Sequence, residues 1–254
     1  MDLGLEDRVV VITGGASGIG LAATRGFDAA GALVTVIDRD LEALARISGE
    51  LERVETVDAD VSSANAVEAA HKHVIDRHGR LDVAVNNAGI SRPVGWLHEL
   101  SEDSWDAVVG VNLKGVWLCM RAQLRQMHAQ GHGVIVNTAS AAGLVGCPGT
   151  SPYTASKHGV IGLTRTAALE YAPLGIRINA VAPGTVGDTA MSAAFGAETA
   201  ASDPFADALV RQPHPLRATA KSDEIADAIL FLAGDRASFA TGSVLVVDGG
   251  FSAQ

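Results

Sequence analysis

Val9-Val-Val-Ile-Thr-Gly-Gly-Ala-Ser-Gly-Ile-Gly20 is a β-branched run, then a cluster of glycines, then the start of a segment with helical spacing. A strand that turns sharply into a helix reads this way. Gly14 permits the tight turn, Gly18 lets the backbone approach a diphosphate, and Gly20 lets helix and strand pack closely. Ser17 and Ile19 complete the same loop. Amides at the helix start favour negative charge, so the loop is expected to hold a dinucleotide. Asp38 follows eighteen residues after Gly20, at the end of a second apolar run, Leu33-Val-Thr-Val-Ile37. A carboxylate there accepts ribose hydroxyls and repels a 2′-phosphate, which favours NAD over NADP. Arg39 comes next and offers a competing phosphate contact.

The alternation continues outward from this unit. Further short runs occur at Val54–Val57, Leu81–Val85, Val134–Asn137, Ile176–Val181 and Val244–Val247, with helical spacing over 17–30, 40–50, 63–78, 103–130, 153–172 and 223–234. Seven strands alternating with helices predict an α/β fold, a doubly wound parallel sheet with helices on both faces. Ligands of such sheets gather at the carboxyl ends of the strands. This brings Asp60 and Val61 to the adenine side, and Asn87, Ala88 and Gly89 of Asn86-Asn-Ala-Gly89 close to a ribose. No linker divides the chain, so residues 1–254 are read as one domain. The stretch from about 186 to 220 interrupts the pattern with Met191, Phe195, Phe205 and Leu209 among Pro204, Pro213 and Pro215. It reads either as a lid over the carboxyl edge or as a surface loop with one amphipathic helix.

Composition narrows the partners. The chain has a net charge of −10, 48% hydrophobic and 19% charged residues. That balance argues against nucleic acid or an anionic membrane as the main partner. No apolar stretch is long enough to span a bilayer and the amino terminus lacks a signal-peptide pattern, so a soluble cytoplasmic protein is expected. Cys119 and Cys147 make neither a disulfide framework nor a metal spacing. His71, His73 and His78 are expected on a polar helix face, and His128 and His132 are separated by Gly131 at a helix end. No metal is expected.

Tyr153 and Lys157 stand at i and i+4, on one face of a helix. An ammonium beside a phenol favours the phenolate, so the tyrosine is expected to titrate below its ordinary value and to exchange protons with an alcohol oxygen.

Taken in order, these motifs resemble the short-chain dehydrogenase/reductase family over essentially the whole chain. Thr13-Gly-x-x-x-Gly-Ile-Gly20 resembles its nucleotide loop and Asn86-Asn-Ala-Gly89 its signature after the fourth strand. Asn112, Ser140, Tyr153 and Lys157 match its catalytic positions, Pro183-Gly184 its turn near the nicotinamide, and Thr241–Gly250 its last strand. The resemblance implies a Rossmann-like fold and an NAD(H)-dependent oxidoreductase acting on a secondary alcohol or ketone. Ser140 would then hold the substrate oxygen, Tyr153 exchange the proton, Lys157 bind the nicotinamide ribose, and Asn112 kink its helix and hold a water beside the lysine. The family pattern Pro-Gly-x-Val/Ile-x-Thr is one residue longer here, Pro183-Gly-Thr-Val-Gly-Asp-Thr189. Val186 belongs to that turn, and either Thr185 or Thr189 contacts the carboxamide, with Thr189 favoured. Pocket candidates are Ser91, Arg92, Val94, Trp96, Ala142, Leu144, Val145, Cys147 and Phe195. The family also implies a homotetramer or a dimer. Two other functions remain open: an NADPH-dependent 3-oxoacyl-thioester (acyl-carrier-protein) reductase, and a dinucleotide-binding regulator or scaffold without chemistry.

Overall fold

The computed structural model describes residues 2–51, 53–91, 95–193, 214–217 and 219–254. Strands β1 (Val9–Thr13), β2 (Leu33–Asp38), β3 (Val54–Asp58), β4 (Val83–Asn86), β5 (Gly133–Thr138), β6 (Ile176–Pro183) and β7 (Val244–Val247) form one sheet in the order β3-β2-β1-β4-β5-β6-β7. Every pairing is parallel. The order reverses between β1 and β4, so loops leaving those two strands diverge and open a crevice at their carboxyl ends. The architecture is the Rossmann-like one expected.

Period-2 geometry explains why β1 is apolar throughout. Val10 and Ile12 face one core layer, with Phe27 of α1 (Gly18–Ala29), Ile47 of α2 (Leu41–Glu50) and Ile225 and Ile229 of α7 (Ser222–Ala233). Val9 and Val11 face the other, with Val74 of α3 (Ala64–His78), Met120 and Met127 of α5 (Val116–Gln130) and Val160 of α6 (Ser151–Tyr171). Side chains alternate across a strand, so a sheet covered on both faces needs apolar residues at every position.

The segment read as one helix over 103–130 is α4 (Glu102–Val109), a π turn at Gly110–Gly115, and α5. The π turn carries Asn112, which is fully buried. Its amide Nδ2 donates to Ile90 O at 2.9 Å and its Oδ1 accepts from Ile90 N at 2.8 Å. The kink expected at Asn112 is present, and the side chain pins the chain leaving β4.

One expectation fails in the core. His71 is buried, not on a polar helix face. Its Nδ1 donates to Val67 O at 2.8 Å and its Nε2 accepts from Gln123 Nε2 at 3.1 Å. Gln123 exchanges hydrogen bonds with Asn86, Asn86 donates to Asn137, and Asn137 donates to Thr164 Oγ1 at 2.9 Å. Each of these polar groups is buried with its hydrogen bonds made, as burial requires. Burial holds the His71 imidazole below its ordinary value, with the bond to Val67 opposing.

Most of the stretch read as a possible lid, with Phe195, Phe205, Leu209, Pro204 and Pro213, lies outside the described residues, as do Arg92 and Val94. No helix among the described residues is long and apolar enough to cross a membrane.

Candidate active site

A cleft of ≈ 820 Å³ runs along the carboxyl ends of the strands. It is lined by Gly14, Ser17, Gly18, Ile19, Asp38, Asp60, Val61, Asn87, Ala88, Gly89, Ser140, Tyr153, Lys157, Pro183, Gly184, Val186 and Thr189, all singled out in the sequence. Gly20 and Asn112 do not line it. Gly20 sits beneath, where a Cβ would fall 1.9 Å from Gly14 O. Asn112 sits behind Gly89, across from the Lys157 ammonium: a Cβ on Gly89 would lie 3.4 Å from Asn112 Oδ1 and 3.6 Å from Lys157 Nζ.

At one end the glycine loop is built for an anion. Gly14 (φ 63°) adopts the left-handed backbone that glycine tolerates, and a Cβ there would meet Ala88 Cα at 2.8 Å. Ser17 is the N-cap of α1 and makes no side-chain cap hydrogen bond. The first amides of α1 are therefore left uncapped by a side chain, as a diphosphate site needs. The residues present fit a dinucleotide. Asp38 accepts from Ala16 N at 3.1 Å through Oδ2, and from Arg39 N at 2.8 Å and Asp40 N at 3.2 Å through Oδ1. Oδ2 has one protein bond and so retains capacity for a ribose hydroxyl.

At the other end Ser140 follows β5 and caps a short 3₁₀ turn, its Oγ accepting from Ala142 N at 3.1 Å. Tyr153 and Lys157 project from the first turns of α6. Lys157 Nζ lies 5.5 Å from the centroid of the Tyr153 ring and donates to Thr138 O at 2.8 Å. The lysine is buried, and burial lowers its ammonium from 10.5 to about 8.

The tyrosine departs from the expectation. Burial raises the Tyr153 phenol above its ordinary value, and the hydrogen bond with Ser140 lowers it only in part. Desolvation penalises the phenolate, and the Lys157 ammonium is bonded to the Thr138 carbonyl. In the protein alone Tyr153 is a neutral proton donor.

Among the pocket candidates, Ala142 and Cys147 line the cleft. Leu144 packs against the sheet core instead, and neither Trp96, which is half exposed, nor Ser91 or Val145 lines the cleft. Cys147 is partly buried, which pushes its thiol up. Thr185 and Thr189 both reach the cleft. A Cβ on Gly18 would lie 3.1 Å from Thr189 Cγ2, which brings Thr189 over the glycine loop, whereas Thr185 N donates to His214 Nε2 at 3.0 Å.

His214 and Phe251 are cleft residues that sequence reasoning missed. Their rings stack at 5.3 Å. Neither residue sits in a local motif, and a contact between 214 and 251 has no periodic signal along the chain.

With this geometry in hand, similarity to known proteins is informative. A family model described as enoyl-(acyl carrier protein) reductase matches residues 14–252. The chain is 43% identical over 252 residues to cis-4-hydroxycyclohexanecarboxylate dehydrogenase of Sinomonas cyclohexanicum, covering 97% of each. It is 41% identical to a 3-oxoacyl-[acyl-carrier-protein] reductase of Thermotoga maritima, covering 97% of this chain and 98% of that one. The crystal structure of levodione reductase superimposes with a TM-score of 0.92 at 39% identity, covering 98% of each chain. The chain belongs to the short-chain dehydrogenase/reductase family.

Proposed function

We propose that this protein is an NAD(H)-dependent oxidoreductase that interconverts a secondary alcohol and a ketone. The observation that carries the reading is the convergence of Ser140, Tyr153 and Lys157 on the cleft that also holds the glycine loop and Asp38. The nicotinamide supplies the hydride chemistry when bound. Ser140 Oγ holds the substrate oxygen, and the neutral Tyr153 phenol donates the proton that completes ketone reduction. In the reverse direction the Tyr153 phenolate, favoured by the Lys157 charge, accepts it. Glycine loop, Asp38, Asp60, Val61 and Asn87-Ala-Gly89 bind the adenosine and diphosphate. Pro183, Gly184, Val186 and Thr189 bound the nicotinamide end, with Thr189 the carboxamide contact.

The substrate end has apolar walls at Ile90, Ala142, Cys147, Met191 and Phe251. Two relatives at 43% and 38% identity are named for cyclohexane alcohols. Compact cyclic secondary alcohols and ketones therefore head the substrate panel. The test is turnover of that panel with NADH and NADPH by the protein and its Tyr153→Phe variant. Full activity in the variant sinks the mechanism, and a preference for NADPH sinks the cofactor assignment. The second reading, an NADPH-dependent 3-oxoacyl-thioester reductase, is favoured by the Thermotoga relative and opposed by Asp38.

We infer that the enzyme is a cytoplasmic homotetramer. Trp105 and Trp117 on α4 and α5, Leu169 on α6 and Val246 on β7 are exposed apolar groups on the elements that pair subunits in this family. Symmetric oligomers bury such faces. A monomeric mass in solution refutes this.

A further inference from the structure

The adenosine end of the cleft carries Asp38, Arg39, Asp40 and Asp60 on its wall, three acids and one cation. Asp38 is bonded to backbone amides, and Asp40 caps α2 by accepting from Ala43 N at 3.0 Å. Neither acid pairs with Arg39. Asp60 does: its Oδ2 lies 3.7 Å from Arg39 Nη1. The other oxygen, Oδ1, is anchored by Ser62 N at 2.8 Å and Ser62 Oγ at 2.7 Å, so the carboxylate is fixed with one oxygen turned to the arginine. Partial burial works to raise the Asp60 carboxyl, but the Ser62 bonds and Arg39 outweigh it and hold it below its ordinary value. Arg46, on the neighbouring face of α2, is turned to Ala16 O at 3.5 Å.

We propose that Asp60 is a specificity-determining residue for the choice of dinucleotide, acting through Arg39. Asp38 repels a 2′-phosphate directly, and Asp60 withdraws the cation on that wall that would otherwise attract one. The chain thus carries a latent 2′-phosphate site with its arginine already in place but tethered. The inference rests on the NAD reading above. An exposed ion pair is weak, so the tether sets an effect of about two- to fivefold, smaller than that of Asp38.

The test is calorimetric binding of ADP-ribose and of its 2′-phosphorylated form, neither of which reports turnover. The proteins are the wild type, Asp38→Ser, Asp38→Ser/Asp60→Asn, and that double variant with Arg39→Ala. Asparagine keeps an oxygen for Ser62 and replaces the carboxylate oxygen facing Arg39 with an uncharged NH2 donor. In the Asp38→Ser background, Asp60→Asn is expected to raise the affinity for the 2′-phosphorylated ligand relative to ADP-ribose about two- to fivefold. Arg39→Ala is expected to abolish that gain. An equal change for both ligands, or a gain that survives without Arg39, overturns the proposal. Retained ADP-ribose binding and an unchanged circular dichroism spectrum establish that each variant is folded. If the wild type itself prefers the 2′-phosphorylated ligand, the NAD reading fails; if it prefers ADP-ribose and Asp60→Asn brings no gain, the tether alone fails.

Discussion

Lys157→Met is expected to make the ligand-free protein more stable while destroying its activity. The lysine is 3% exposed, and burial lowers its ammonium from 10.5 to about 8. At about 1.36 kcal/mol per tenfold, holding that charge in the folded state costs about 3 kcal/mol at pH 7. Truncation also leaves Thr138 O without its 2.8 Å bond, a loss of about 1–2 kcal/mol. The net gain is about 1–2 kcal/mol, a rise in Tm of roughly 2–8 °C for a domain of this size. The sign with pH follows from the direction of the shift. Below pH 8 the folded and unfolded lysines are both charged and the full cost is present. Between about 8 and 10.5 the unfolded chain keeps a proton that the folded protein has released, so wild-type stability from this group rises with pH. The advantage of the variant therefore shrinks as pH rises through that window, with the cost relieved to about 2 kcal/mol by pH 9. Urea unfolding of both proteins at pH 7, 8, 9 and 10, followed by circular dichroism, reads the difference directly. A variant less stable than wild type at pH 7, or a difference that does not change between pH 7 and 10, would show that Lys157 is not held at a cost.

Three further outcomes are expected. Gly20→Ala places a Cβ 1.9 Å from Gly14 O and 2.6 Å from Asn87 Nδ2, so the loop must shift; overpacking of about 1–3 kcal/mol should lower Tm and weaken ADP-ribose binding at least tenfold by calorimetry. His71 is buried and held below its ordinary value of 6.5, so the unfolded state takes its proton first and stability falls as pH drops below 6.5, by up to about 1.4 kcal/mol per pH unit; the urea midpoint of His71→Gln should fall less steeply between pH 6.5 and 5 than that of wild type. Asp82 is buried and accepts from Val9 N and Arg80 Nε, both at 2.8 Å, with His132 Nε2 at 3.2 Å, at the sheet edge opposite the cleft; Asp82→Ala should cost about 2–4 kcal/mol in urea unfolding with ADP-ribose affinity unchanged.

The fold was legible because its signals are local. Each strand is a short β-branched run and each helix a 3.6-residue pattern, and the boundaries read from the chain differ from the observed ones by two residues at most, apart from the π turn. That turn has no propensity signature; it exists because Asn112 is drawn to the Ile90 backbone, a contact made only when β4 and α4 are already packed. Likewise His71 lies among polar neighbours along the chain, and its burial is decided by Gln123, which arrives from another helix.

The site divides in the same way. Glycine spacing, the acid at the end of β2 and the Tyr153/Lys157 pair are encoded within single turns, where the chain's own geometry sets which atoms meet. The sequence by itself therefore determined the sheet, the cleft at its carboxyl ends and most of the residues proposed to act there. The acidity of those residues was decided by tertiary structure. Spacing puts Lys157 on the helix face of Tyr153, but only the packed fold buries Lys157, turns its ammonium to Thr138 O, and shifts the ammonium down and the phenol up. Desolvation depends on everything that surrounds a group, and so has no motif. The same holds for the Arg39–Asp60 pair and the His214–Phe251 stack, in which residues from distant segments meet only at the carboxyl edge of the finished sheet.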